Sequence, residues 1–269
     1  MSYSRIPDEE SHTWVSMKLI ARIIALLGFV AFALSASAAK GLAPNTYRSS
    51  TVTGTVTWQD SGTGESMALV ADQVLPIGAI INTGEASSAA LIFSSGATAL
   101  IGEKSQVIVS KFQQELFGSD VVKSSGAEPS VSDTELLLNK GTVTSRVAKL
   151  KPKSNYSVRT PIGAAGVRGT TYQVLYDSVN KTLRVATAEG KVVFRTADNV
   201  ELPVDGGKDI VLTFETNDAG EITVTSTVAG NIPPAELQVI NNLVEAVLRQ
   251  EAALPVIVPT QPILSDDTP

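Results

Sequence analysis

The sequence lacks cysteine altogether and contains a single histidine, His12, among its 269 residues. Without cysteine the chain has no disulfide, no thiolate nucleophile and no cysteine-ligated zinc or iron–sulfur site. One histidine near the N-terminus supplies neither a histidine-rich metal cluster nor a base for a catalytic triad in the rest of the chain. The composition therefore excludes several common classes of enzyme, and we expect no cofactor and no metal site.

An excess of positive charge is also missing, since 21 Lys and Arg residues stand against 27 Asp and Glu residues and the formal net charge is −6. This balance argues against a general nucleic-acid-binding protein, so no nucleic-acid partner is expected. Hydrophobic residues make up 43% of the chain, which is enough for a folded core. The length suits one large domain or two small ones.

An apolar run stands near the N-terminus, where residues 19–34 read LIARIIALLGFVAFAL. Lys18 precedes this run, and the small residues Ala36-Ser37-Ala38 follow it. A basic flank, a short apolar core and a small-x-small end are typical of a secretory signal. We therefore predict a signal peptide over residues 1–38, cleaved between Ala38 and Ala39.

Two alternatives stay open at this end of the chain. Residues 19–39 could form an uncleaved membrane anchor, although their uninterrupted apolar stretch is shorter than the roughly 20 residues that a spanning helix needs. Met17 could be the true start of the protein, because acidic residues stand before it and a lysine directly after it. In each case we expect the rest of the chain to be exported, either periplasmic or secreted, or held at the inner membrane by residues 19–39.

Between Thr51 and residue 233 the sequence consists of short β-branched runs that alternate with period 2 and are separated by Gly, Asn, Asp or Pro. No stretch there has the 3.6-residue period of an amphipathic helix. We predict an all-β domain built as a β-solenoid or roll of short strands. The Glu189-Gly190 pair predicts a tight hairpin between two of these strands.

The last part of the chain predicts a hairpin, a helix and a tail. Residues 215–232 predict a β-hairpin extension, and Pro233-Pro234 begin an amphipathic helix over residues 233–254. We expect the apolar stripe of this helix to pack on the β domain. The stripe consists of Leu237, Ile240, Val244, Val247 and Leu248. Residues 255–269 contain four prolines, which predict an extended or disordered tail.

Residues 156–174 read YSVRTPIGAAGVRGTTYQV and contain the most distinctive motif of the chain. The pattern predicts a strand, a turn fixed by Thr160-Pro161, a Gly-Ala crossing and a return strand. Arg168 carries the only charge between Thr160 and Asp177, so its guanidinium should bind a carboxylate or a carbonyl group. The expected carboxylates are Asp177 and Glu189.

This motif resembles the signature of the FecR domain, V-x-TP-x-(G/A)-x-(A/G)-VRGT-x-(F/Y)-x-V, with one extra residue in the Gly-Ala stretch. Flanking segments, such as GAIINTGEASSAALIF before it and LRVATAEGKVVF after it, resemble the family pattern in the same order. The resemblance covers roughly residues 50–214, the expected extent of the β domain. The candidate site is this signature, in a structural or partner-contacting role, and consists of Thr160, Pro161, Gly166, Val167, Arg168, Gly169 and Thr170.

The resemblance implies an extracytoplasmic all-β module, and the best-known members of the family relay outer-membrane transport signals to a sigma factor. Those regulators carry a cytoplasmic helical domain before the membrane segment, whereas the 16 residues before Met17 have no helical pattern. We therefore expect a stand-alone, non-catalytic binding or scaffold protein of the cell envelope. Its expected partner is an envelope protein or polysaccharide.

Two other functions stay open at this point. The first is a membrane-anchored sensor of the FecR class, which signals to a sigma factor and contacts the membrane only through its N-terminal segment. The second is an enzyme that acts on envelope glycans. Such an enzyme would need two carboxylates facing a cleft, about 5–9 Å apart.

Overall fold

The computed structural model describes residues 46–117 and 127–252, which form sixteen strands and one helix. The first strands are β1 (Tyr47–Thr53), β2 (Val56–Gln59), β3 (Ser66–Ala68), β4 (Ile80–Thr83), β5 (Ser88–Phe93), β6 (Thr98–Ile101), β7 (Gln106–Gln114) and β8 (Ser132–Val147). The remaining elements are β9 (Asn155–Thr160), β10 (Gly163–Val167), β11 (Thr170–Asp177), β12 (Thr182–Glu189), β13 (Lys191–Thr196), β14 (Glu201–Asp205), β15 (Lys208–Thr216), β16 (Ile222–Asn231) and α1 (Pro234–Ala252). The predicted signal peptide, the alternative anchor and the predicted tail over residues 255–269 lie outside the described residues.

Strand pairing arranges these strands as two sheets that share β8. Sheet A has the order β1-β5-β6-β8-β11-β12-β15-β16, and sheet B has the order β3-β2-β4-β7-β8-β9-β10-β13-β14. The pairs are antiparallel except that of β8 with β9, which is parallel. In both sheets the strands that precede β8 in the chain lie on one side of it, and the strands that follow lie on the other side.

β8 passes from sheet B into sheet A through a bend at Gly141. Before the bend β8 pairs with β7, and after it with β6 and β11. Gly141 has a φ of +89°, and a Cβ there would lie 2.6 Å from the Cα of Ser105. The Oγ of Ser105 instead accepts a hydrogen bond of 2.9 Å from the N–H of Thr142. The bend therefore requires a residue without a side chain.

After β8 the chain forms one hairpin in each sheet in turn, with β9–β10 in sheet B, β11–β12 in sheet A, β13–β14 in sheet B and β15–β16 in sheet A. Gly169, Gly190 and the Gly206-Gly207 pair stand at the three crossings between these hairpins. The crossings touch one another, since the N–H of Gly206 donates to the carbonyl oxygen of Gly190 at 2.9 Å. A Cβ at Gly190 would lie 2.5 Å from the carbonyl oxygen of Gly169, so a side chain is excluded at that position.

The two sheets enclose one hydrophobic core, formed by the inward side chains that alternate along each strand. Phe93 of sheet A packs edge-to-face against Phe112 and Tyr156 of sheet B, with ring centroids 5.1 and 6.4 Å apart. Burial of each large apolar side chain stabilises the fold by about 1.5–3 kcal/mol. The core therefore holds the sheets together face to face.

Helix α1 covers the outer face of sheet A. Its Ile240 is buried and packs with Ala186, a residue of β12 that points away from the core between the sheets. Arg184 of β12 anchors the first turn of the helix through an ion pair with Glu236, and it also binds Asp209 of β15 at 2.7 Å. The stripe predicted from the sequence is the face that the helix buries.

The predicted all-β fold with one C-terminal helix is confirmed. The solenoid form is not confirmed, because antiparallel hairpins in two facing sheets stand where a solenoid would have parallel rungs. The predicted hairpin at Glu189-Gly190 is wrong, since β12 pairs within sheet A while β13 pairs within sheet B. A glycine between two alternating strands looks the same in sequence whether the second strand returns to the first or crosses to the facing sheet.

Candidate functional site: a groove on the outer face of sheet B

A groove of ≈ 770 Å³ follows β10 on the face of sheet B that points away from the core. The outward positions of β10 are occupied by Ala164 and Gly166, while Ala165 and Val167 point into the core. Because β10 offers nothing larger than a methyl group on this face, its neighbours β9 and β13 form two walls about 10 Å apart. We call this feature the β10 groove.

The strand register sets the walls of the β10 groove opposite its floor. Ala164 lies between Arg159 of β9 and Arg195 of β13. Gly166 lies between Ser157 of β9 and Val193 of β13 in the same way. An extended chain laid along β10 would therefore have side chains on both flanks and backbone below it.

Cations dominate the lining of the groove, although the whole protein is acidic. The charged lining residues are Arg159, Arg168, Lys191, Arg195 and Glu135. Arg159 binds Glu135 at 2.8 Å, Lys191 lies 3.5 Å from Asp205, and Arg195 pairs with Glu201. These pairs are exposed, so each contributes at most about 1 kcal/mol. The cations can therefore exchange these carboxylates for those of a ligand at little cost.

Arg168 stands at the end of the groove, where its Nη1 donates a hydrogen bond of 3.0 Å to the carbonyl oxygen of Pro152. The expected pairing of Arg168 with Asp177 or Glu189 is wrong; the partner is the carbonyl group that the sequence left open as the alternative. Hydrogen bonds from Asn180 and Val179 engage the Asp177 carboxylate and lower its pKa. Because Arg168 is exposed, its removal should cost little stability.

A buried carboxylate fixes the loop that offers the Pro152 carbonyl to Arg168. Glu128 accepts hydrogen bonds from the N–H of Lys151 at 2.8 Å and from the hydroxyl of Ser154 at 2.6 Å. The hydroxyl of Ser132 also donates to it. Glu128 lies in the stretch AEPSVSD, which is polar and shows little periodicity, so nothing in the sequence pattern marked it as buried.

Other signature residues hold the backbone that carries the groove. The Oγ1 of Thr160 donates to the carbonyl oxygen of Gly163 at 3.1 Å and closes the turn at Pro161. The Oγ1 of Thr170 donates to the carbonyl oxygen of Lys191 at 3.0 Å, which joins the first crossing to the start of β13. The signature thus divides into residues that shape the backbone and residues, such as Gly166 and Arg168, that line the groove.

The structure corrects the sequence-based description of the signature in one respect. The Gly-Ala stretch, expected as a crossing, is strand β10, which pairs with both β9 and β13; the crossing is Arg168-Gly169. Sequence reasoning also missed the groove walls, which contain Ser157, Arg159, Lys191, Val193 and Arg195. Their signal was the period-2 alternation of NYSVRT and KVVFRT, but the predicted β12–β13 hairpin gave β13 the wrong neighbour.

The lining of the β10 groove lacks the pair of carboxylates that the glycan-acting alternative requires. Its lining holds one carboxylate, Glu135, and that carboxylate is engaged by Arg159, whereas glycoside hydrolysis uses a pair. Within residues 46–117 and 127–252, no three or more acidic or histidine side chains are grouped as a metal site would require. In the same part of the chain, no helix has the length and apolar character needed to cross a membrane.

The two facing sheets define an all-β domain with a cation-lined groove on one outer face. The family model described as FecR protein matches residues 79–193, a range that contains β9, β10 and every signature residue. Residues 79–193 therefore match the FecR family model, and the resemblance drawn from the signature is confirmed over this range. The wider limits of residues 50–214 stay a prediction.

Comparison with solved structures gives distant likenesses only. Two crystal structures of a protein named as a putative anti-sigma factor from Parabacteroides distasonis ATCC 8503, at 2.50 and 1.65 Å resolution, are each 14% identical to this chain. Their TM-scores are 0.41 and 0.42, and they cover 56% and 64% of this chain. The chain spans 59% of the first structure's length and 74% of the second's. No curated protein matches the chain.

Proposed function

We propose that this chain is a non-catalytic binding module with a signalling role of the FecR type. In this proposal the β10 groove receives an extended segment of an envelope protein that carries acidic side chains. The observation that carries the proposal is the outward face of β10, where the family signature places Ala164 and Gly166 and so leaves a channel open between two walls. The cations of these walls suit carboxylates, since Arg and Lys bind them by charge-assisted hydrogen bonds.

A photo-crosslinking experiment tests the groove. The full chain carries a photoreactive amino acid at Val193, in one wall, and is expressed in its native host and irradiated. We expect a discrete protease-sensitive adduct at Val193, and none at the control position Val179, which is exposed in the β11–β12 turn. Filling the channel with Gly166→Leu should abolish the adduct without changing the melting temperature, because a Cβ at Gly166 would lie 3.9 Å from the carbonyl oxygen of Val193, an ordinary van der Waals contact. Equal adducts at Val193 and Val179 would contradict the proposal.

A genetic experiment tests the signalling role. Transcripts are compared between the native host, a strain that lacks the gene, and this strain complemented with the wild-type chain or with Gly166→Leu. We expect a defined set of transcripts to change on deletion, to be restored by the wild-type chain and to stay altered with Gly166→Leu. Identical transcripts with and without the gene would remove the signalling role and leave the scaffold function.

Export is the part of the proposal that rests on the sequence alone. Residues 19–34 and Ala36-Ser37-Ala38 support cleavage between Ala38 and Ala39. N-terminal sequencing of the protein from its native host should therefore begin at Ala39. An intact Met1 or Met17 in the membrane fraction would instead support the anchored sensor, held by residues 19–39.

A further inference from the structure

Strand β16 forms an open edge of sheet A. It pairs with β15 on one side, and no described strand pairs with its other side. Its ten residues, ITVTSTVAGN, include neither a charged residue nor a proline, and every one of them is half-buried or exposed. Long, uncharged edges of this kind are templates for pairing with another strand.

The other sheet edges carry the protections that β16 lacks. The edge strand β14 has a proline, Pro203, between the acidic residues Glu201 and Asp205. The edge strand β3 has only three residues. The backbone after β3 covers β1, since the N–H of Ser49 donates to the carbonyl oxygen of Gln73 at 2.9 Å. Edge strands avoid pairing by being short, by containing proline or charged residues, or by being covered. β16 has none of these protections.

The register of β15 with β16 shows which backbone groups point outward. The N–H of Ile232 donates to the carbonyl oxygen of Gly207 at 3.0 Å, directly beyond the Lys208–Asn231 pair. Inward and outward groups alternate along an antiparallel pair. The N–H and C=O groups of Thr227, Ala229 and Asn231 therefore point away from β15, toward the open side.

We propose that β16 pairs antiparallel with β16 of a second copy of this chain, so that sheet A continues across a two-fold axis. A second copy is favoured over a free peptide because its β16 is already ordered and pays no backbone entropy on pairing. The absence of charge along β16 lets two acidic molecules meet there without bringing carboxylates together. A two-fold axis places the same surface on both sides, as in most dimers.

The exposed side chain of Val228 fixes the register of this pairing. With the axis at Val228, Thr227 of one copy exchanges hydrogen bonds with Ala229 of the other, so their outward groups face each other. Val228 then meets Val228 of the second copy in a non-hydrogen-bonded pair, with Cα atoms about 4.5 Å apart. This contact covers a valine that is 62% exposed in the single chain.

Cysteine crosslinking tests the register, because the chain contains no other cysteine. The full chain with Val228→Cys is oxidised under mild conditions and run on a non-reducing gel. A Cα separation of this size lies within the range of a disulfide, so we expect a covalent dimer. Val70→Cys is the matched control, since Val70 is 59% exposed but lies away from β16, and it should crosslink at least about tenfold more slowly.

A proline substitution tests the pairing itself. Ala229→Pro removes an N–H that points outward and leaves the bonds to β15 in place. Light scattering should give a dimer for the wild-type chain and a monomer for Ala229→Pro with its β-type circular dichroism unchanged, which corresponds to a dissociation constant raised about tenfold or more. A monomeric wild-type chain, a dimeric Ala229→Pro chain or equal crosslinking of the two cysteine variants would each overturn the proposal. The Val193 crosslink is independent of all three results.

Discussion

At the scale of single residues, the glycines of the crossings decide where the chain changes sheets. Gly169 has a φ of +116°, and a Cβ there would lie 3.1 Å from the Cα of Lys149. Gly190 is more confined, since its Cβ would lie 2.5 Å from the carbonyl oxygen of Gly169. The backbones of these two crossings therefore lie so close together that only glycine, which has no Cβ, fits there.

We predict that Gly169→Val abolishes soluble expression, because the variant combines a left-handed backbone with overlap against Lys149 and loses about 3 kcal/mol or more. Gly166→Val is the matched control within the same signature. Gly166 lies in a strand, and a Cβ there would come no nearer than 3.9 Å to the carbonyl oxygen of Val193. The soluble yield and the circular dichroism of the two variants test this prediction. A normal yield of Gly169→Val would show that the fold does not require a glycine at this position.

At the scale of elements, helix α1 shows how one stripe of side chains attaches a segment to a sheet. Ile240 is 1% exposed on sheet A, whereas its chain neighbour Val239 is 54% exposed. In proteins most of the stability of a helix comes from the packing of its apolar face rather than from the helix alone. Contact with sheet A, together with the ion pair between Arg184 and Glu236, therefore keeps it in place.

We predict that Ile240→Asp lowers the free energy of unfolding by about 3–4 kcal/mol, since it puts an unpaired charge under the helix. Val239→Asp makes the same chemical change on the solvent side and should stay within about 0.5 kcal/mol of the wild type. Urea unfolding measures both. Equal stability of the two variants would mean that the helix does not pack on sheet A in solution.

The elements could be predicted from the sequence because burial alternates along them. In β9 the side chains of Tyr156 and Val158 are buried and those of Ser157 and Arg159 are not, as a period of two requires. The helical spacing of the apolar residues Leu237 and Ile240 indicated the helix in the same way. These patterns involve residues that are close together in the chain, so they can be recognised from the sequence alone.

The neighbours of each strand could not be predicted, because alternation says which face is buried and not which strand lies alongside. Ala164 contacts Arg195 through pairing of β10 with β13, two strands that are separated in the chain by a hairpin of the other sheet. Nothing in the residues around Gly141 indicates a bend, because the bend depends on the close approach of Ser105. The groove walls were therefore recognised only in the structure.

At the scale of the whole molecule, the core keeps several tyrosine hydroxyls away from water. Burial raises the pKa of Tyr47, Tyr156 and Tyr172 above the ordinary value of 10.0. The unfolded chain ionises these groups near their ordinary pKa, and the folded chain does not. Their contribution to stability is thus fully present below pH 10 and is lost as the pH rises above it.

We predict that the free energy of unfolding stays level up to about pH 10 and falls above it, and that the tyrosinate absorbance of the buried residues appears together with the loss of β structure. Tyr156→Phe should lose about 1 kcal/mol at neutral pH with the 3.1 Å hydrogen bond to Ser145, and should decline less steeply in alkali. Ultraviolet titration and circular dichroism give both curves. Full ionisation of the tyrosines with β structure intact would contradict a closed core.

The shared strand β8 has a consequence for the newborn chain. Translation delivers β1 to β7 first, and at that point β6 in one sheet and β7 in the other both lack the neighbour that β8 later provides. At about 5–20 residues per second the ribosome needs roughly two to seven seconds to add the 33 residues from the end of β7 at Gln114 to the end of β8 at Val147 (147 − 114). Throughout that interval the unpaired edges of β6 and β7 are exposed on the nascent protein. Once β8 is complete, this single strand pairs with both of them.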